Sequence, residues 1–154
     1  FVQWLDGIKP PISLPTGSRV METGGYKGRS QELPKSELHA LIAQKLGVRP
    51  DHIVSEYGMC ELGSQAYDRI VGRTNCPTFK FPAWARIRIV SPETRAEVAE
   101  GETGLLQVFD LANIRSVLAI LTGDLAVRRG DGFELIGRAT ASEPRGCSLA
   151  LSES

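Results

Sequence analysis

Between residues 18 and 58 a helical period is bracketed by two strand-like runs, and this order restricts the fold more than any other feature. In "PKSELHALIAQKLG", Pro34 stands at the start of the run, Leu38, Leu41, Ile42 and Leu46 recur at helical spacing, and Gly47 stops it. The pattern predicts a helix from about Lys35 to Leu46. Before it, "SRVMETGG" reads as a short buried strand running into a double-glycine turn at Gly24 and Gly25; after it, "HIVSEYG" reads as a second strand passing into a loop. Strand, helix and strand in this order, with a glycine-bearing loop after each strand, point to an α/β fold.

Beyond Asp68 the helical period gives way to short strands separated by turn signals. "WARIRIV" sets Ala85, Ile87 and Ile89 on one face and Arg86 and Arg88 on the other, so it should be half-buried. "GLLQVFDL" and "VLAILTGD" read as further strands, "SPET" and "EGETG" as turns, and "LAVRRGDGFELIG" as a hairpin about Gly130, Asp131 and Gly132. Ahead of all this, residues 1–16 carry Pro10, Pro11 and Pro15 without a clear period and read as a connector, ending in a turn at Thr16 and Gly17. The expected architecture is a βαβ portion joined to a β-rich subdomain, together occupying residues 17–154.

Composition narrows the class of function. The 154 residues are 42% hydrophobic and carry eighteen basic and eighteen acidic side chains, so one soluble globular unit is expected. That balance leaves no electrostatic footprint for nucleic acid, while a pocket for a single nucleotide is still compatible with it. No window approaches the ~20 apolar residues of a membrane span and no basic-then-apolar leader opens the sequence, so a cytoplasmic protein is expected. Cys60, Cys76 and Cys147, with His39 and His52, form no zinc-ligand spacing and read as free thiols in a reducing compartment.

Three segments combine glycine with a polar group after a strand: "ETGGYKGR", "EYGMCELGS" and "LTGDL". Loops at the carboxyl ends of strands are where α/β sheets hold ligands, and glycine lets a flat ligand lie against bare backbone. A purine needs two such faces. Gly24 and Gly25 suit one, and Tyr57 suits the other by stacking, although a lone tyrosine of this kind is more often core than base platform. Asp124 suits a ribose, because a carboxylate accepts from both hydroxyls of a vicinal diol. Glu61 suits Mg²⁺ on phosphate oxygens, since that hard ion takes one or two carboxylates plus water and substrate oxygen. Lys27 and Arg29 read as solvated or as phosphate contacts, and Phe79, Phe81 and Trp84 as core or as the border of an acyl channel.

Taken together these segments resemble a known family. "SEYGMCELGSQAYD" is similar to the Tyr-Gly-x-Thr-Glu motif of the adenylate-forming enzymes, and "LTGDLAVRRGDGFELIGR" to their Thr-Gly-Asp segment and the later glycine-arginine. "METGGYKGRSQEL" and "PRGCSLAL" are most similar to the acyl-protein synthetases of the bacterial fatty acid reductase type. The resemblance implies an enzyme that joins a fatty or other carboxylic acid to ATP, with Mg²⁺, and passes the acyl group from the adenylate to a thiol. It implies that Gly24, Gly25, Tyr57 and Gly58 line the adenine, Asp124 takes the ribose and Glu61 serves Mg²⁺. Arg138 would contact the ribose or phosphate, and Cys147 would accept the acyl group. An acyl-accepting reductase is the implied protein partner.

Departures from the motif set limits on this reading. Cys60 stands where the family commonly has Thr, and Thr140 where the superfamily often has a hinge Asp. No glycine- and Ser/Thr-rich phosphate loop is present, so the sequence resembles the carboxy-terminal portion of a longer synthetase. On the residues alone, Cys147 reads as a nucleophile or as a small buried hydrophobe, and Cys60 and Cys76 as structural. Two other functions remain open at this stage: an acyl-CoA or aryl-CoA ligase portion, and a nucleotide-binding or interaction module without catalysis.

Overall fold

The structure, a computed structural model, describes residues 1–23, 33–73 and 78–139. In chain order the elements are α1 (Val2–Gly7), β1 (Val20–Thr23), α2 (Lys35–Leu46), a 3-10 turn (Pro50–His52), β2 (Ile53–Tyr57), β3 (Ala66–Tyr67), β4 (Ala85–Val90), β5 (Thr103–Asp110), β6 (Ala119–Arg129) and β7 (Gly132–Arg138). They build two sheets, one ordered β1-β2-β3 and one ordered β4-β5-β6-β7.

The first sheet is the expected βαβ unit with a short antiparallel strand added. β1 and β2 run parallel, Val20 opposite Ile53 and Thr23 opposite Glu56, while β3 pairs antiparallel with the end of β2. Helix α2 connects the two parallel strands. It ends where the sequence says it should, because Gly47 takes the left-handed φ of 64° and returns its N–H to the Ala43 carbonyl. Leu38, Ile42 and Leu46 on its inner face are buried with Val48 and Ile53. Burying side chains of this size stabilises by roughly 1.5–3 kcal/mol each.

Val2 and Leu5 of α1 are buried in that same cluster, so the segment 1–16 is docked on α2 at its amino end. One sequence expectation fails in β1. That strand is not buried: Val20 and Glu22 are half-buried, Val20 against the α2 cluster, while Met21 and Thr23 on the opposite face are exposed.

The second sheet is antiparallel throughout. Ala85 and Ile89 of β4 are buried and Arg86 is exposed, as alternation requires, although Val90 is buried beside Ile89. A second expectation fails in β6, where Thr122, Gly123 and Asp124 lie inside a continuous eleven-residue strand and not in a loop after one. The Asp124 backbone N–H donates to Thr122 Oγ1 at 3.1 Å, and that hydroxyl donates to the Leu106 carbonyl at 2.8 Å. Against β5 these three residues form a bulge opposite Leu106, since the register jumps from the Gln107–Leu121 pair to the Leu105–Leu125 pair. A register shift against β7 follows immediately, between Leu125 and Ala126.

Phe79 and Lys80 tie the two sheets together. Phe79 exchanges backbone hydrogen bonds with Phe133 of β7 at 2.8 and 3.0 Å, and Lys80 does so with Tyr67 of β3 at 3.0 and 3.1 Å. This approach requires glycine at 132, where an added Cβ would stand 2.7 Å from the Phe79 carbonyl oxygen. The core beneath the junction contains Tyr57, Phe79, Ile89, Leu106, Val108 and Phe133.

Candidate functional site

β2 is buried along its whole length, and it delivers Tyr57 to the junction between the sheets. The ring meets Phe133 edge-on at 5.4 Å between centroids and Phe81 edge-on at 6.3 Å, and it lies tilted against Phe79 at 6.1 Å. Its hydroxyl leaves this aromatic pocket and donates to Asp124 Oδ2 at 2.8 Å. Burial, reinforced by the Asp124 charge and that bond, pushes the phenol far above its ordinary range, so it remains a donor at any physiological pH. The Arg138 charge opposes part of the shift.

Asp124 and Arg138 face each other across the β6–β7 ladder. Directly opposed residues project to the same face of a sheet, which puts the guanidinium on the carboxylate's side. Asp124 is half-buried, Arg138 is exposed, and the Tyr57 bond occupies one carboxylate oxygen. Three residues from separate motifs therefore meet at one place. Tyr57 sits as a core residue whose hydroxyl is aimed at Asp124 and whose ring is in contact with Phe79, Phe81 and Phe133.

The other motif residues follow β2 in residues 58–65. Gly58 and Glu61 are exposed, and the Glu61 backbone carbonyl accepts from Asn113 Nδ2 at 2.7 Å. Cys60, read from sequence as structural, is exposed in this turn and packs in no core. Among the described residues no three His, Cys, Asp or Glu side chains come close enough to hold a metal. A lone exposed carboxylate such as Glu61 fits Mg²⁺ when a polyphosphate and water supply the remaining oxygens. Gly24, Gly25, Cys76 and Cys147 lie outside the described residues.

A cleft of about 450 Å³ opens where β1 and β2 end, lined by Thr23, Glu56, Gly58, Met59, Leu62 and Gln65 among others. One wall is polar. The Thr23 hydroxyl donates to Glu56 Oε2, and a Cβ on Gly58 would collide with Glu56 Oε1. Bare backbone at 58 thus lets the buried carboxylate reach Thr23.

Sequence reading passed over the polar network beneath this cleft. Glu22 accepts from the Ser55 hydroxyl, and His39 Nε2 lies 3.3 Å from both Glu22 Oε1 and Ser55 Oγ. Burial raises the Glu22 carboxyl, but hydrogen bonds from His39 and Ser55 and the nearby His39 and Lys35 charges outweigh it, leaving a net lowering. Asp68 behaves alike: its buried carboxylate accepts from the Ser55 N–H at 2.9 Å, from Lys35 Nζ at 2.9 Å and from Arg69 at 3.2 Å. Those partners overcome the desolvation and hold it below the usual range. The one signal in the sequence was Ser55-Glu56, a polar pair inside an otherwise apolar strand.

Comparison with known proteins gives the family and the fold. The family model described as acyl-protein synthetase, LuxE, matches residues 9–154. The long-chain-fatty-acid–luciferin-component ligase of Aliivibrio fischeri is 24% identical over 153 residues, with 91% of this chain and 39% of the ligase covered. The chain therefore spans about two fifths of the length of the curated relative it matches. Among solved structures, the long-chain-fatty-acid-CoA ligase FadD1 from Archaeoglobus fulgidus has a TM-score of 0.59 at 15% identity, covering 97% of this chain and 33% of that one. ATP-bound MatB from Rhodopseudomonas palustris has a TM-score of 0.57 at 18% identity, covering 78% and 25%. These likenesses show the fold, a mixed α/β unit shared with adenylate-forming enzymes. No helix among the described residues is long and apolar enough to cross a membrane.

Proposed function

The chain belongs to the acyl-protein synthetase (LuxE) family, and from that premise we propose that the full-length protein activates a fatty acid with ATP and transfers the acyl group to a cysteine thiol. The observation that carries the reading is the meeting of Tyr57, Asp124 and Arg138, drawn from motifs 67 positions apart in the case of the Tyr57–Asp124 bond. A carboxylate with one oxygen fixed by a permanent donor and a cation on the same sheet face suits a ribose hydroxyl pair beside a phosphate.

In this scheme Asp124 accepts from the ribose hydroxyls, with Tyr57 holding its orientation. Gly24, Gly25, Tyr57 and Gly58 line the adenine, and Arg138 offsets charge at the ribose or α-phosphate. When bound at Glu61, Mg²⁺ would neutralise phosphate oxygens during displacement of pyrophosphate. The fatty acid carboxylate attacks the α-phosphorus, a step that depends on positioning and charge neutralisation. The Cys147 thiolate then attacks the acyl carbonyl, forming the C–S bond as the bond to AMP breaks; the thiol proton is released to solvent. An acyl-accepting reductase is the proposed next partner, and the cytoplasm the proposed location.

The test uses the full-length protein with labelled fatty acid and ATP, comparing wild type with Cys147→Ser. The wild type should exchange pyrophosphate and take up hydroxylamine-labile label, and the variant should lose the label while keeping exchange. Retention of labile label in the variant would overturn the acceptor assignment, and a wild type without exchange or label would overturn the synthetase reading. Transfer of label to coenzyme A would favour a CoA ligase. Asp124→Ala should weaken ATP binding ~10–100-fold, the size of a charge-assisted hydrogen bond; unchanged affinity would remove the ribose role.

A further inference from the structure

The segment that carries Glu61 has slight internal support. Within residues 58–65 the backbone bond described is the one from the Leu62 N–H to the Met59 carbonyl, 3.1 Å. Stronger ties run across to a single turn at the end of β5. Asn113 donates through Nδ2 to the Glu61 carbonyl at 2.7 Å and to the Val117 carbonyl at 3.0 Å, so one amide clips the Glu61 backbone to the β5–β6 connection. Ser64 donates to Asp110 Oδ1 at 2.8 Å, and Trp84 Nε1 donates to Ser64 Oγ at 2.9 Å. The turn is itself braced, since the Ala112 N–H donates to Asp110 Oδ1 at 3.0 Å and the Asn113 N–H to the Asp110 carbonyl at 3.1 Å.

Asp110 is fully buried, and among the described residues its Oδ2 has no hydrogen-bond partner. A buried carboxylate oxygen left unpaired works against stability. The same side chain nevertheless fixes both Ser64 and the turn that presents Asn113. Asp110 closes β5, and β5 is paired directly with β6, the strand that bears Asp124. Glu61, in the loop after β2, and Asp124, on β6 of the other sheet, are thereby referred to one rigid frame.

We propose that Asn113 and Asp110 are positioning residues that set the Glu61 loop relative to Asp124, an inference that rests on Glu61 serving Mg²⁺ in the proposed reaction. Asn113 acts on the Glu61 backbone directly, and Asp110 acts through Ser64 and through the turn. A merely stabilising pair would leave the response to Mg·ATP unchanged in any folded variant. A positioning pair alters it, and does so only while Glu61 is present.

The experiment is a double-mutant cycle in the full-length protein, read by pyrophosphate exchange, together with amide hydrogen exchange. Asn113→Ala should raise the KM for Mg·ATP ~10-fold in the wild-type background, about the effect of one hydrogen bond, and change it little in the Glu61→Ala background. Equal effects in both backgrounds would overturn the proposal. Asp110→Asn keeps the oxygen that Ser64 and Ala112 use and should recover most of the loss seen in Asp110→Ala; no recovery would remove Asp110 from the role. Hydrogen exchange needs no turnover: Asn113→Ala should speed exchange in residues 58–65 and leave 85–90 unchanged. An unaltered 58–65 segment would overturn the anchor. A wild type without pyrophosphate exchange would sink the synthetase reading, and the anchor would then stand or fall on hydrogen exchange alone.

Discussion

The two sheets meet at Tyr57 and each covers an apolar cluster, but they differ in the polar groups they bury: Asp110 and Thr122 in the antiparallel sheet, and a connected network in the β1–β2 sheet. The antiparallel sheet covers an apolar interior of Ile89, Leu106, Val108, Ala126 and Phe133. Beside it, the β1–β2 sheet buries Ser55 and Glu56 and packs them near buried His39 and Asp68, each with polar partners. Apolar packing is non-directional and tolerates volume-conserving exchange. Buried polar networks are directional, and fully satisfied they specify one arrangement. The difference assigns a division of labour: the antiparallel sheet supplies the rigid frame that bears Asp124 and Arg138, and the β1–β2 sheet fixes Thr23 and Tyr57, the strand ends that precede Gly24 and the Glu61 loop.

Breaking the apolar side should have the largest effect. Phe133→Ala removes a fully buried ring that contacts Tyr57, Phe79 and Phe81, and should cost about 3–5 kcal/mol of stability, measured by chemical denaturation. A loss below about 1 kcal/mol would show that this junction is not the frame. On the polar side, Asp68→Asn should cost about 1–3 kcal/mol, less than a wholly buried pair because the Lys35 partner is partly exposed and can regain water. Its pH dependence has a definite sign. The folded Asp68 carboxyl lies below its unfolded value of about 3.9, so its contribution is complete above that pH and disappears as pH falls through the lowered value. The stability gap between wild type and Asp68→Asn should therefore narrow on acidification; a constant gap would contradict the network. Glu22 titrates with the same sign and steepens the wild-type acid limb.

What could be read from sequence follows the same division. α2 was legible because its period, its leading Pro34 and its terminating Gly47 are local, and the strand around Ile87 because alternation is local. Helix α1 was not, since six residues hold too little period and Val2 and Leu5 find their partners on α2. Thr122-Gly123-Asp124 looks like a loop because glycine beside two polar residues signals a turn, yet pairing with β7 at Asp124 carries the strand through it, while against β5 the three residues bulge between the Leu121–Gln107 and Leu125–Leu105 pairs. The motif residues are legible singly as parts of the proposed site. Their junction, Tyr57 on Asp124, is a tertiary contact, and Asp110 and Asn113 gave no sign because polar residues after a strand read as an ordinary turn.

The smallest effect is expected where the two sheets touch. Tyr57→Phe keeps the ring in its aromatic pocket and deletes the bond to Asp124, which is half-buried and can take water in exchange, so the cost at neutral pH should be about 0.5–1.5 kcal/mol. The alkaline limb is the more telling measurement. The Tyr57 phenol is raised far above its unfolded value of about 10, so the stability it contributes is fully present below that pH and declines as pH rises beyond it. Wild type should lose stability above about pH 10, and Tyr57→Phe should lose less over the same interval. Of the three tyrosines, Tyr57 should stay protonated while the chain is folded and ionise as it unfolds. If tyrosinate absorbance instead reported all three ionising near pH 10 with the fold intact, the buried donor would be lost, and with it the contact that couples the β1–β2 sheet to the antiparallel one.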